Sequence, residues 1–237
     1  MQLSNTLKSG KLIKRYKRFF ADIDYNNEVL TAHCPNPGAM TGLAIPGQKV
    51  LFSTSDNKNR KLRYTLEFVE IGNYLVGVNT LLPNKLVAEA LANKKISKLK
   101  QYSEIKPEFK FSQGIRFDFL LTGQDLKPCI LEVKNVQLRL NLNEKIGIAE
   151  FPDSVTERGS KHLKNLSVAI SKGYRSVMLY VVQRMDCEKL TIAKEIDPIY
   201  AENFINAKKN GVEMEVWACD ISIKEIKLSH QLQLTEL

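Results

Sequence analysis

Residues 115–136 read IRFDFLLTGQDLKPCILEVKNV, and this stretch decides the fold of the larger part of the chain. It contains two apolar runs, 115–121 and 129–136, each as long as a short β-strand. Gly123 and Pro128 lie between the runs, where they are typical of a turn. The pattern therefore predicts two neighbouring strands, each with an acidic residue inside an otherwise apolar segment.

Three charged residues in these strands can form a chemical site: Asp118, Glu132 and Lys134. Residues two apart in a strand share a face, so Glu132 and Lys134 point the same way, while Leu131 and Val133 point into a core. Charges on a buried strand are costly unless they are paired, lie in a cleft or bind a metal. Two carboxylates can hold Mg²⁺ or Mn²⁺, and a nearby lysine can position or deprotonate a water molecule.

An aspartate followed one hairpin later by Glu-x-Lys resembles the active-site pattern of the PD-(D/E)XK nucleases. In that interpretation Asp118 and Glu132 are metal ligands, and Lys134 completes the catalytic set. The alternative is a structural salt bridge at a strand end, because so short a pattern also matches unrelated chains by chance.

The composition is that of an ordinary globular protein, and its positive charge favours a polyanionic partner, although many basic proteins bind none. The chain has 237 residues, enough for one large domain or two small ones, and a formal net charge of +9. Its four cysteines form no C-x-x-C pair, which argues against a zinc site or disulfide framework and favours a reducing compartment. The N-terminus has no apolar signal-peptide core, and no apolar run is long enough to span a bilayer. We therefore expect a cytoplasmic protein that enters no membrane.

Residues 1–82 are predicted to form an OB-like β-barrel domain. Short β-like runs at 49–53, 62–69 and 74–78 alternate with turn sequences such as Pro35–Gly38 and Gly72-Asn73. The turn-rich segment 35–42 is a candidate binding loop, because functional loops are often built on a rigid scaffold.

Residues 83–237 are predicted to form a mixed α/β domain. The expected order is α-β-β-α-β-α-β, which fits a mixed sheet with helices on its faces and is compatible with a restriction-endonuclease-like core. Beyond the two acidic strands, the expected elements are a helix over 84–100, a helix from a capping box at Ser154 to Gly173, a strand over 176–182, a helix from Asp197 to Gly211 and a strand from Val212 to Ala218.

Three groups of cations are candidates for contact with phosphate. Basic residues interleaved with aromatics suit a nucleic-acid groove, and cations near a helix N-terminus suit an anion. For each group the alternative is a solvated face that contacts nothing. The candidates are Lys14, Arg15, Lys17 and Arg18 near the N-terminus, Lys58, Arg60, Lys61 and Arg63 further along, and Arg158, Lys161 and His162 on one side of the Ser154 helix.

The chain resembles the sugar fermentation stimulation protein A (SfsA) family. The matching segments are RYKRF at 15–19, HCPNPGAMTG at 33–42, STSDN at 53–57, VNT at 78–80, DF at 118–119, EVK at 132–134, FPDSVTERG at 151–159 and KH at 161–162. The resemblance implies an N-terminal OB-like domain, a PD-(D/E)XK nuclease-like domain, non-specific DNA binding and an association with the regulation of sugar utilisation, especially of maltose.

Together these features predict a DNA-binding protein with a metal-dependent nuclease-like site. Asp118 and Glu132 would ligate the metal with help from the Val133 carbonyl, Lys134 would orient the attacking water, and Glu89 on the preceding helix could complete the site. The alternative is a non-catalytic DNA-binding regulator in which the acidic residues are structural. No helix-turn-helix pattern is evident, and the sequence does not indicate an oligomeric state.

Overall fold

The computed structural model of the chain describes residues 1–3, 7–141 and 147–235. Residues 8–77 form a closed β-barrel, and the residues from 83 onward form a sheet with helices on both faces. None of the helices in the described part is long and apolar enough to cross a membrane.

The barrel has the connectivity of an OB-fold. Its neighbouring strands lie in the order β3-β2-β1-β4-β5-β6, and a parallel pairing of β3 with β5 closes it. Alternating side chains from the strands fill its interior, among them Leu12, Phe52 and Leu66. The strands are β1 (Lys8–Tyr16), β2 (Phe20–Tyr25), β3 (Glu28–His33), β4 (Lys49–Thr54), β5 (Tyr64–Ile71) and β6 (Tyr74–Gly77).

The second part is built on a six-stranded mixed sheet in the order β14-β13-β11-β9-β8-β7. Its central strands β9, β11 and β13 are parallel, as crossover connections through helices require. The first elements are α1 (Pro83–Ala92), β7 (Glu104–Ser112), β8 (Ile115–Thr122), β9 (Cys129–Val136), β10 (Ile148–Phe151) and α2 (Glu157–Ser171). They are followed by β11 (Arg175–Val182), β12 (Lys189–Ile192), α3 (Pro198–Lys209), β13 (Glu213–Ile221), β14 (Ile226–Gln231) and β15 (Gln233–Leu234).

Two apolar layers cover the sheet. Leu86 and Val87 of α1 pack with Leu131 and Val133 on one face. The other face packs against α2 and α3, where Leu166 is fully buried. The strands β10, β12 and β15 form a small separate sheet. The predicted fold class, an OB-like barrel followed by a restriction-endonuclease-like α/β domain, is confirmed.

Several predicted boundaries were wrong. The first helix ends at Ala92 instead of Lys100, and only a short 3₁₀ turn, Ser97–Leu99, follows it. The second helix is capped by Thr156, whose hydroxyl accepts a hydrogen bond from Gly159 N at 3.0 Å, and not by Ser154. The cap predicted at Asp197 is present, since its carboxylate accepts from Tyr200 N at 2.9 Å.

The barrel and the α/β part are joined by buried polar contacts. Gly77 N donates to Gln183 O at 2.8 Å, and the side-chain amide of Gln183 reaches the carbonyl of Asn79 at 3.3 Å. A Cβ at Gly77 would lie 2.6 Å from Gln183 Oε1, so any side chain here would push Gln183 out of its contacts with Asn79 and Asn135. Asn36 of the barrel also donates to Gln137 Oε1 at 2.9 Å.

Candidate functional site

The candidate site lies where β8 separates from β9. These strands are paired only from Phe119 opposite Leu131 to Leu121 opposite Cys129. On its other edge β9 stays paired with β11 as far as Val136. The edge of β9 that faces β8 is therefore unpaired beyond Leu131, and its backbone groups can bind side chains.

Asp118 occupies this open edge. Its carboxylate accepts a hydrogen bond from Val133 N and another from the side-chain amide of Asn84 in the first turn of α1, both at 2.7 Å. Burial first, and then the negative charge of Glu132, raise the pKa of Asp118 above its ordinary value. The negative charges of the two carboxylates thus repel each other, a situation that a bound cation relieves.

Glu132 is the most deeply buried charge of the site, with a side chain 4% exposed. Its Oε1 contacts Lys134 Nζ at 2.8 Å and His162 Nδ1. Burial alone would raise the pKa of Glu132, but the hydrogen bond from His162 and the charge of Lys134 outweigh burial and lower it. The second oxygen, Oε2, is buried and has no hydrogen-bond partner among the described residues.

The donor set fits a hard divalent cation with an incomplete protein shell. Within the described residues no group of three or more His, Cys, Asp and Glu side chains could hold a metal. Two carboxylates are available, however, and one offers an unsatisfied buried oxygen. Mg²⁺ is commonly bound by one or two carboxylates, with water and phosphate oxygens as its other ligands.

The prediction that Glu89 belongs to this site was wrong. Its carboxylate lies 2.5 Å from the N-terminal ammonium of Met1, and it is 42% exposed. The polar side chain that α1 contributes is Asn84. Because each helical residue turns by about 100°, Glu89 points about 140° away from Asn84 around the helix axis.

The three cations predicted on the second helix separate into two roles. Arg158 and Lys161 are exposed, as a phosphate-facing surface requires. His162 is buried against the ring of Phe117, and its Nδ1 lies 2.9 Å from Lys134 Nζ. The prediction that His162 faces phosphate is therefore corrected: α2 packs on the sheet directly above Glu132, so the ring joins the acidic site.

Arg15 is also placed differently from the prediction. Its Nη2 donates to the carbonyls of Asn36 at 2.8 Å and Gly38 at 2.9 Å, so it holds the loop after β3 instead of facing solvent. Lys14 lies 3.6 Å from Asp22, with a side chain 62% exposed. Lys17 and Arg18 are exposed in the β1–β2 turn; their positive φ angles of 46° and 63° are a conformation uncommon outside glycine.

The β4–β5 loop carries four exposed cations, hereafter the loop cations: Lys58, Arg60, Lys61 and Arg63. Arg60 also donates to Thr65 Oγ1 at 2.9 Å and lies 3.4 Å from His33 Nδ1. His33 pairs with Phe20 at the start of β2 and with Thr65 at the start of β5. The loop cations and the β1–β2 turn therefore lie at the same end of the barrel.

Sequence reasoning missed several polar residues beside the site. Asn84 supports Asp118, and Asn135 and Gln137 line a cleft of about 270 Å³ that begins one residue beyond Lys134. The barrel loop that contains Asn36 forms the opposite wall of this cleft. The turn-rich composition of segment 35–42 was the only signal that could have indicated it.

Comparison with known proteins places the chain in one family. Residues 13–78 match a model described as the SfsA N-terminal OB domain, and residues 81–225 match the sugar fermentation stimulation protein RE domain. The chain is 48% identical to the sugar fermentation stimulation protein homolog of Caulobacter vibrioides, over 98% of this chain and 96% of that one. It is 46% identical to the homolog of Pelagibacter ubique, over 99% of each.

A solved structure has the same fold. The structure of Pyrococcus furiosus SfsA in complex with Ca²⁺ superimposes with a TM-score of 0.88 at 23% identity, and the match covers 100% of this chain and 98% of that one. With both family models and relatives matched along nearly its whole length, the chain belongs to the sugar fermentation stimulation protein family.

Proposed function

We propose that this protein binds DNA and hydrolyses phosphodiester bonds with a divalent cation held by Asp118 and Glu132. The observation that carries the proposal is Glu132 Oε2, a buried carboxylate oxygen without a partner in the described structure, next to a second carboxylate whose pKa is raised. A buried unsatisfied acceptor is costly, and a hard cation is the ligand that best satisfies it.

The residues of the site divide the chemistry among them. When bound, Mg²⁺ or Mn²⁺ supplies Lewis acidity and makes a bound water easier to deprotonate. Asn84 and the amide of Val133 fix the orientation of Asp118. Lys134 places a positive charge beside the phosphate position, where it orients the attacking water and stabilises negative charge that develops during the reaction.

His162 acts as a positioning residue in this scheme. Its ring contacts both Glu132 and Lys134, and Arg158 Nε lies 3.5 Å from its other nitrogen. These contacts restrict the lysine to one geometry, and a preorganised charge contributes more to catalysis than a mobile one.

DNA binding is supported by the distribution of exposed positive charge. The formal net charge is +9, and the loop cations share one barrel end with Lys17 and Arg18. In OB-folds the β1–β2 and β4–β5 loops are the ones that bind oligonucleotides. The strand β3 reaches this end at His33 and continues into the loop that borders the cleft, so a nucleic acid on the barrel would extend towards Lys134.

The Ca²⁺ complex of the Pyrococcus furiosus relative is in keeping with a metal site in this fold. Calcium and magnesium ions both select oxygen ligands, although calcium tolerates less regular geometry.

A second candidate function is non-catalytic DNA binding. The observation in its favour is that Lys134 and His162 already pair with Glu132 Oε1, so the site contains an internal ion pair without any metal. In that case Asp118 and Glu132, hereafter the acidic pair, would stabilise the sheet, and the protein would act as an accessory regulator.

Cleavage by three variants separates the two candidates. We expect Glu132→Gln to lose Mg²⁺-dependent cleavage of single-stranded, duplex and branched DNA while it retains DNA binding, because the DNA contacts lie on other side chains. Lys134→Met should lower the cleavage rate by about 10²-fold or more. Glu89→Gln is the matched control and should cleave like the wild type, since Glu89 lies outside the site.

The opposite result favours the second candidate function, non-catalytic DNA binding. If wild-type protein cleaves no nucleic acid with Mg²⁺ or Mn²⁺, and Glu132→Gln and Lys134→Met both melt well below it, then the acidic pair is structural.

A further inference from the structure

A cleft between the barrel and the α/β part has features that the proposed cleavage reaction does not use. Its walls are the barrel segment 36–38, the segment 135–138 at the end of β9, and the segment 150–156 that leads into α2. The volume is about 270 Å³, close to the lower limit of about 300 Å³ for small-ligand pockets.

A fixed network of amides leaves hydrogen-bond donors free inside this cleft. Asn36 Oδ1 accepts from Gly38 N at 2.9 Å, so its Nδ2 is the group that donates to Val78 O at 3.0 Å and Gln137 Oε1 at 2.9 Å. Gln137 must therefore present its Nε2 away from Asn36. This residue is 4% exposed, lines the cleft, and its Nε2 has no hydrogen-bond partner among the described residues.

Asn135 provides a second donor by the same logic. Gln183 Nε2 donates to Asn135 Oδ1 at 2.7 Å and also approaches the carbonyl of Asn79 at 3.3 Å, which fixes both amides. The Nδ2 group of Asn135 is consequently left for a ligand in the cleft.

Carboxylates supply acceptors on the third wall, segment 150–156. Glu150 and Asp153 both line the cleft, and a Cβ at Gly38 would lie 2.2 Å from Asp153 Oδ2, so the carboxylate packs directly against the glycine backbone. Negative charge here excludes a phosphate group but accepts hydrogen bonds from amines and ring N–H groups. Two donors and two acceptors around one recess match the edge of a nucleobase, which carries both kinds of group.

The position of the cleft relative to the reactive site sets which part of a substrate it meets. Asn135 follows Lys134 directly but points to the other face of β9, and Gln137 lies three residues beyond Lys134, about 10 Å along a strand. A bound strand with a phosphate beside Asp118 and Glu132 would have to pass the C-terminal end of β9 to bring its next nucleotide to the mouth of the cleft. A base stacked in a duplex presents no free edge to such a recess.

We propose that the interdomain cleft binds one unpaired nucleobase of the substrate strand, next to the phosphate held at the acidic pair. The preferred substrate is accordingly single-stranded or locally unpaired nucleic acid. This inference rests on the proposed nucleic-acid function and specifies its substrate class.

The test uses a short oligonucleotide with 2-aminopurine, a base that becomes fluorescent when it leaves its stack. It is run once with Ca²⁺, which also takes oxygen ligands, and once in EDTA, where no metal-dependent cleavage occurs. Wild-type protein should raise the fluorescence several-fold and bind the unpaired form about tenfold or more tightly than the fully paired duplex. Ser154→Trp, which places a bulky ring at the exposed rim of the cleft, should abolish both effects. Val168→Trp adds the same ring on α2, away from the cleft, where Val168 is 46% exposed, and should leave both unchanged.

The outcomes separate this inference from the proposed function. Binding measured by anisotropy without any rise in fluorescence, or a full rise with Ser154→Trp, overturns the base pocket and leaves DNA binding intact. No binding by wild-type protein to any oligonucleotide overturns both. If Ser154→Trp does not fold, Asn135→Ala decides, because it removes one donor and should lower the preference for the unpaired form.

Discussion

Arg15 offers a test of whether its guanidinium stabilises the fold or contacts the phosphates of DNA. Its guanidinium bridges β1 to the loop that forms one wall of the cleft, through the carbonyls of Asn36 and Gly38. Arg15→Ala removes both hydrogen bonds, as well as longer ones to Arg18 O at 3.2 Å and Ala39 O at 3.4 Å. The loop then loses its attachment to β1 through this side chain, although Asn36 still bonds to Val78 O.

The expected cost follows from these contacts. A hydrogen bond with one charged partner contributes roughly 1.5–3 kcal/mol to stability, and the two short ones dominate here. Arg15 is only partly buried, and water can reach the released carbonyls, so a total near the lower limit, about 2 kcal/mol, is reasonable. For a chain of this length that corresponds to a melting temperature lower by about 4–8 °C.

Calorimetry and DNA titration on the same variant provide the assay. Arg15→Ala should melt earlier than the wild type, while the dependence of its DNA affinity on salt stays the same. Lys14→Ala is the control and should melt within about 1–2 °C of the wild type, because exposed ion pairs contribute little. Unchanged melting of Arg15→Ala, together with a shallower salt dependence, would show that the guanidinium contacts phosphate and refute the structural role.

Three further perturbations test other parts of the structure. Replacing all loop cations by Ala should make the plot of log affinity against log salt shallower by up to about 3–4 for duplex DNA, and an unchanged slope would place the DNA elsewhere. The hydrogen bond from Arg175 lowers the pKa of Glu213 from its ordinary value of 4.5, so the stabilisation is present above that value and lost as the pH falls through the lowered pKa. The stability difference between wild type and Glu213→Gln should accordingly vanish in acid, and a difference independent of pH would contradict the ion pair. Gly38→Ala should destabilise the protein by steric contact with Asp153, and Asp153→Ala should rescue it; no rescue would mean that the clash lies elsewhere.

Strands β8 and β9 could be predicted because the sequence pattern that indicates them is local. Apolar runs of strand length and the alternation of side chains place Glu132 and Lys134 on one face whatever the rest of the chain does. Strand β7 lacked such a signal: it is an edge strand, mostly exposed, and contains Pro107. Edge strands commonly carry charges and proline, so their sequences resemble loops.

The site residues that were missed or misplaced depend on tertiary contacts. Glu89 and Asn84 lie on the same helix, and only the packing of α1 on the sheet decides which of them meets Asp118. His162 lies between the exposed Lys161 and the buried Leu163, so a small rotation of α2 determines whether it faces solvent or Glu132. The partners of Arg15 are backbone carbonyls 21 and 23 residues further along the chain, which no sequence pattern indicates.

The central claim is that Asp118 and Glu132 form a divalent metal site. Crystals of the wild-type protein grown with Mn²⁺ and measured at the manganese absorption edge test it directly. The claim predicts one anomalous peak within about 2.0–2.6 Å of a carboxylate oxygen of each residue, with Glu132 Oε2 among the ligands, and no peak in Glu132→Gln crystals grown the same way. Absence of a peak at saturating Mn²⁺, with Lys134 and His162 still bound to Glu132, would contradict it.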